Sequence, residues 1–165
     1  MNQKQLEQKM YYFGYGSNLR ASFVTELIPG AKFVMKGYLP NYEVQWRAWS
    51  TEYKGGISSI SETPGEIVQG VIYECTEKEL EKLDYIPGIY VPEYKRETFV
   101  VLGEDDKWHS VELYRLWELK GPFPPSRIYV EGMLEGAKQI GVSPDYLEKI
   151  EGWLRESIVA VSDEP

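Results

Sequence analysis

The residues best suited to chemistry lie near the start of the chain, in Gly14-Tyr15-Gly16-Ser17-Asn18. An apolar and aromatic run, Met10–Gly14, leads into them, and Ala21–Ile28 follows with helical spacing (Phe23, Val24, Leu27, Ile28) up to Pro29-Gly30. Glycines let such a loop turn sharply, its N–H groups can converge on one point, and a following helix adds partial positive charge. That chemistry suits a carboxylate or a phosphate. The loop lacks the Lys-Ser/Thr ending of a Walker motif and the third glycine of a dinucleotide fingerprint. On its own a structural turn explains it equally well.

Few other residues offer reactive chemistry. One His and one Cys cannot build a His- or Cys-rich zinc site, so no metal is expected. His109, in Asp105-Asp106-Lys107-Trp108-His109-Ser110, reads as part of a turn entering a strand. A catalytic acid and base in this chain are therefore expected to be carboxylates. Cys75 has no partner for an intrachain disulfide, and nothing points to an oxidising compartment, so a cytoplasmic location is expected.

These residues must be positioned by the elements around them. Strands are expected over Ala31–Leu39 and Tyr42–Trp46, joined through Pro40-Asn41, with Gly55-Gly56 marking a loop or a close backbone approach. Two more, Ile57–Ser61 and Ile67–Cys75, flank a turn at Thr63-Pro64-Gly65-Glu66. Thr76-Glu77-Lys78-Glu79 is a capping box opening a short helix that carries Leu80 and Leu83 and ends near Asp84. Tyr85–Pro92 reads as a loop. Glu93–Leu102 and Trp108–Trp117 alternate as a hairpin over Gly103–Lys107. After the rigid Gly121–Pro125 connector, a helix runs from Ser126 to about Ile140, and Ser143-Pro144 starts another through Trp153. Strands followed by helices give an α+β fold with a mixed sheet closing toward a barrel.

The 165 residues fit one domain, read as 10–158, with a polar leader at 1–9 and a tail at 159–165. Five Trp and thirteen Tyr argue for an ordered core. A net charge of −8 works against nucleic acid and anionic membranes as partners. No apolar run approaches the roughly 20 residues of a membrane span, and residues 1–9 lack a signal peptide's apolar region.

Tyr12-Phe13-Gly14-Tyr15-Gly16-Ser17-Asn18-Leu19 resembles the signature of the γ-glutamylcyclotransferase (AIG2-like) family. The resemblance continues in Gly55-Gly56-Ile57, Thr63-Pro64-Gly65-Glu66-Ile67-Val68-Gln69-Gly70-Val71-Ile72, Leu80-Glu81-Lys82-Leu83-Asp84, Tyr94, Pro124-Pro125-Ser126, Tyr129, Gly136-Ala137-Lys138 and Leu147-Glu148-Lys149-Ile150. It implies a small closed β-barrel with flanking helices and a cavity at its mouth. It also implies a cofactor-independent reaction. The substrate's α-amine attacks its own γ-glutamyl carbonyl, giving 5-oxoproline and a released amine, while a glutamate moves the protons. By the same resemblance, Tyr12, Phe13, Gly14, Tyr15, Gly16, Ser17, Asn18, Tyr94 and Tyr129 hold the small γ-glutamyl or carboxylate ligand, with Tyr114 also lining the cavity.

The family's glutamate belongs to the pattern Asp-x-x-Glu-Gly, which here is Asp84-Tyr85-Ile86-Pro87-Gly88. Proline cannot move a proton. Glu93 is the replacement candidate, although in a strand it points to the face opposite Tyr94. Asp84, at a helix end, reads as structural. Trp46 and Trp49 either wall the cleft or pack inside, and Tyr146, Ile150 and Trp153 form an apolar helical stripe. Two readings stand: a divergent cyclotransferase, or a pseudoenzyme that keeps the pocket to bind a small carboxylate.

Overall fold

A computed structural model describes residues 2–85 and 94–162. Its frame is set by two long strands, β2 (Lys32–Ser50) and β3 (Gly55–Thr76), paired antiparallel along their whole length. The Pro40-Asn41 and Thr63–Glu66 turns expected from sequence do not reverse the chain. They lie opposite each other, and the pairing steps from Pro40–Ile67 to Tyr42–Glu62. Asn41 and Gly65 adopt positive φ (65° and 91°), and the Gly65 N–H donates to Asn41 Oδ1 at 3.1 Å. Turn chemistry on facing strands thus makes a bulge that bends the sheet.

Three further strands complete it: β1 (Lys9–Gly14), β4 (Tyr94–Gly103) and β5 (Trp108–Leu116). The order β1-β3-β2-β4-β5 closes as a barrel through a parallel β1–β5 contact at Tyr12–Glu112. The remaining neighbours are antiparallel, so the barrel is mixed. Among the candidates, Pro87 and Glu93 lie outside the described residues.

Alternation along the strands sorts the side chains into two apolar layers. Phe13, Leu39, Ile72, Val101 and Leu113, drawn from all five strands, fill the barrel interior. Their neighbours Tyr12, Val71 and Tyr73 face outward, beneath the helices. These helices are α2 (Ala21–Leu27), α3 (Glu77–Asp84), α4 (Arg127–Ile140) and α5 (Pro144–Ser162). They contribute Val24, Leu80, Leu83, Met133 and Ile150 to the outer layer.

The capping box forms as read: Glu79 N–H donates to Thr76 Oγ1 and Thr76 N–H to Glu79 Oε1. Two other readings change. A short helix, α1 (Gln3–Leu6), sits in the polar leader with its own Asn2–Gln5 capping box. The last helix continues beyond Trp153 to Ser162. Among the described residues, no helix is long and apolar enough to cross a membrane.

Candidate functional site

β1 delivers the chain to Gly14, which packs so tightly against the following turn that a Cβ there would sit 2.6 Å from the Asn18 carbonyl oxygen. A 3₁₀ turn over Ser17–Leu19 follows, closed by Leu19 N–H donating to Gly16 O at 3.0 Å. The seven-residue helix α2 begins at Ala21, where its spacing places it, and this 3₁₀ turn separates it from the loop. The donors available to a ligand are the loop's own. Ser17 N–H donates to Tyr129 Oη at 3.0 Å. Among the described residues, the N–H groups of Tyr15 and Gly16 have no acceptor.

Tyr129 reaches the loop because Ser126 caps the start of α4: Tyr129 N–H donates to Ser126 Oγ at 3.2 Å, and Ser126 Oγ–H donates to Tyr53 O at 2.6 Å. The Tyr129 ring is wedged edge-on between Trp46 and Tyr53, each 5.5 Å away between centroids. Its hydroxyl hydrogen-bonds Ser58 Oγ at 2.7 Å, and the Tyr94 hydroxyl donates to Ser58 O. Gly16 must be glycine here, since a Cβ would sit 2.2 Å from Tyr129 Oη and 2.5 Å from Ser58 Oγ.

The opposite wall is phenolic. Tyr15 donates its hydroxyl to Tyr114 O at 2.5 Å, while the Tyr12 ring stands edge-on to the Tyr114 ring at 5.8 Å. Asn18 is 7% exposed; its Nδ2 donates to the Tyr12 hydroxyl, and its backbone oxygen accepts from Tyr73 Oη at 2.6 Å. Its Oδ1 is buried with no partner among the described residues. Burial pushes the phenols of Tyr12, Tyr15 and Tyr114 well above their ordinary range, so all three stay protonated at neutral pH.

The resulting pocket is lined by Tyr12, Tyr15, Gly16, Ser17, Asn18, Tyr53, Ile57, Ser58, Tyr94, Tyr114 and Tyr129. The structure therefore brings together most of the residues expected to bind ligand, along with Tyr114. Phe13 is placed elsewhere: the alternation of β1 turns it into the barrel interior. Gly14 shapes the loop and is not part of the lining. Trp46 is buried behind Tyr129, and half-exposed Trp49 packs against Phe123, so neither lines the pocket.

Tyr53, Ile57 and Ser58 were missed. Their sequence signal is the Gly55-Gly56-Ile57 block beside two serines, Ser58 and Ser59, both buried in a strand. No carboxylate lines the pocket among the described residues. His109 is the second residue of β5, bonded to Asp105 at 2.9 Å, and is not part of the pocket lining.

The sequence profile of the AIG2-like family matches residues 67–150, half of the chain. The chain belongs to the AIG2-like family. Human γ-glutamylcyclotransferase is 28% identical over 148 residues, spanning 87% of this chain and 78% of that protein. A solved γ-glutamyl cyclotransferase superposes with a TM-score of 0.81 at 27% identity, covering 87% of each chain. A yeast γ-glutamyl cyclotransferase specific to glutathione shares the fold, with a TM-score of 0.64 at 11% identity over 90% of this chain and 96% of that one. The resemblance carried by the sequence blocks and the closed barrel it implied both hold for this AIG2-like chain.

Proposed function

We propose that the pocket binds a γ-glutamyl compound and cyclises it to 5-oxoproline with release of the amine. The observation that carries this reading is the pairing of two loop N–H groups, of Tyr15 and Gly16, with a buried acceptor, Asn18 Oδ1, all three without a partner among the described residues, in one phenol-lined pocket. An α-amino acid end presents the complementary pair: a carboxylate for the N–H groups and an ammonium for the amide oxygen. Holding that end leaves the γ-carbonyl to fold back on the α-nitrogen. Ring closure is intramolecular, so positioning alone can lower the barrier by roughly 7–11 kcal/mol. The likeness to γ-glutamylcyclotransferases supports the same substrate class.

A second reading rests on Pro87 at the family's glutamate position. Without a proton carrier, the pocket binds a small carboxylate and turns nothing over. Pro87→Glu and Glu93→Gln, assayed beside the wild type for 5-oxoproline release from a γ-glutamyl amino acid, separate the two. Wild-type release supports the enzyme, and its loss in Glu93→Gln assigns the base to that residue. Release only in Pro87→Glu supports the binding protein. Calorimetric titration showing that none of the three binds the γ-glutamyl compound would sink both.

A further inference from the structure

The cyclisation needs a proton carrier. The α-ammonium must shed a proton before its nitrogen attacks. After the new C–N bond forms and the amide C–N bond breaks, the departing nitrogen must be protonated. Overall two protons move from the α-nitrogen to the leaving amine, one of them gained as it departs and one when it becomes an ammonium. The pocket lining offers phenols and hydroxyls but, among the described residues, no carboxylate.

One carboxylate does stand a single phenol behind the wall. Tyr114 Oη lies 2.5 Å from Asp84 Oδ1, to which it donates, with the Leu80 carbonyl oxygen 3.1 Å away. Tyr114 is fixed on both sides, by Tyr15 Oη on its backbone oxygen and by the Tyr12 ring on its own ring. Asp84 is held in turn by Arg96, whose Nη2 reaches Asp84 Oδ2 at 3.2 Å and Glu77 Oε1 at 2.6 Å. The chain thus places a pocket-lining phenol in hydrogen-bond line with a half-buried carboxylate beside the last turn of α3.

We propose that, on the cyclotransferase reading, Tyr114 and Asp84 carry the protons of this reaction, Tyr114 as the group that meets the substrate and Asp84 as the proton store behind it. Tyr114 Oη accepts a proton from the α-ammonium as its own proton passes to Asp84 Oδ1. The reverse transfer delivers a proton to the leaving nitrogen, and the pair ends as it began. Burial, and after it the Asp84 hydrogen bond, hold the Tyr114 phenol in its protonated form, as a conduit requires. Arg96 fixes the Asp84 carboxylate at the end of α3, so Oδ1 stays against Tyr114 Oη and the proton returns along the same hydrogen bond.

The same contacts also fasten α3 to β4 and β5, a purely structural role that the test must separate. Asp84→Asn keeps an acceptor for the Tyr114 hydroxyl but cannot take a proton, and Tyr114→Phe keeps the ring and removes the path. Asp84→Glu restores the carboxylate. With a γ-glutamyl amino acid as probe, the first two variants should lower kcat by about 10²–10⁴-fold with KM within a few-fold of wild type, as expected for loss of acid–base transfer. Asp84→Glu should recover part of that loss, which a structural anchor restored only in shape would not explain. Wild-type release of 5-oxoproline that persists at full kcat in folded Tyr114→Phe or Asp84→Asn overturns the relay alone. A raised KM with unchanged kcat does the same, by showing an anchoring role. No release by the wild type overturns the cyclotransferase reading and the relay with it. Circular dichroism and thermal melting establish folding, and if Asp84→Asn does not fold, Tyr114→Phe decides the outcome.

Discussion

Gly16→Ala tests whether the loop and Tyr129 form one rigid unit. The added Cβ would meet Tyr129 Oη at 2.2 Å and Ser58 Oγ at 2.5 Å, distances at which something must move. The serine hydroxyl can rotate. Tyr129 cannot easily yield, because its ring is clamped edge-on by Trp46 and Tyr53 and its backbone lies in the first turn of α4. Overpacking of this kind costs about 1–3 kcal/mol, and loss of the Ser17 N–H bond to Tyr129 Oη adds about 0.5–1.5 kcal/mol. Urea unfolding should therefore show Gly16→Ala less stable by about 3 kcal/mol, the midpoints of those two ranges added together. In a Tyr129→Phe background the nearest Tyr129 atom is Cζ at 3.3 Å, and Ser58 is released from its partner. The same substitution should then cost less by about 1 kcal/mol or more, a coupling typical of residues in contact. Equal costs in both backgrounds, or a Gly16→Ala protein as stable as wild type, would refute the close packing of this loop.

The remaining predictions concern pH, the thiol and the α3 anchor. Tyr12, Tyr15, Tyr73, Tyr114 and Tyr146 are held above the usual phenol range by burial. They keep protons in the fold that the unfolded chain loses above about pH 10, so stability is complete below that pH and falls as it rises, by about 1.4 kcal/mol per pH unit for each phenol. Urea midpoints that stay level between pH 10 and 12 would contradict their burial. Cys75 is buried and its thiol is pushed up to about 12, chiefly by that burial, so a thiol reagent at pH 8 should label it only after unfolding; rapid native labelling would refute this. Arg96→Met removes the partner of both Glu77 and Asp84 in a half-buried network and should destabilise by about 1–3 kcal/mol in thermal or urea unfolding, the residual carboxylates being left close together. A stability equal to wild type would show the network contributes nothing.

Local signals carried much of the fold into the sequence. The Thr76–Glu79 capping box and the Ser126 cap are decided within four residues, and both helices start where those residues place them. Alternation in β4 and β5 was equally readable. The bulge at Asn41 and Gly65 was not, because whether a Pro-Asn or Pro-Gly pair reverses a strand or bends it depends on the partner strand opposite. The site divides the same way. Tyr15 to Asn18 stand out as a loop motif, but Tyr53 and Ser58 reach it only through the β2–β3 hairpin and the start of α4. The hydrogen bond from Tyr114 to Asp84 spans 30 residues, and no local pattern encodes it.

The central claim is that this AIG2-like pocket cyclises γ-glutamyl compounds, and product stoichiometry tests it most directly. Wild-type protein incubated with a γ-glutamyl amino acid should release 5-oxoproline and the free amino acid in equal amounts, with no added cofactor. The γ-glutamyl analogue lacking its α-amine should bind in the same pocket and yield nothing, since the attacking nitrogen is absent. Release of free glutamate in place of 5-oxoproline would contradict the account by showing that water is the nucleophile. Tight binding of the intact substrate with neither product formed would contradict it as well, and would leave a carboxylate-binding protein.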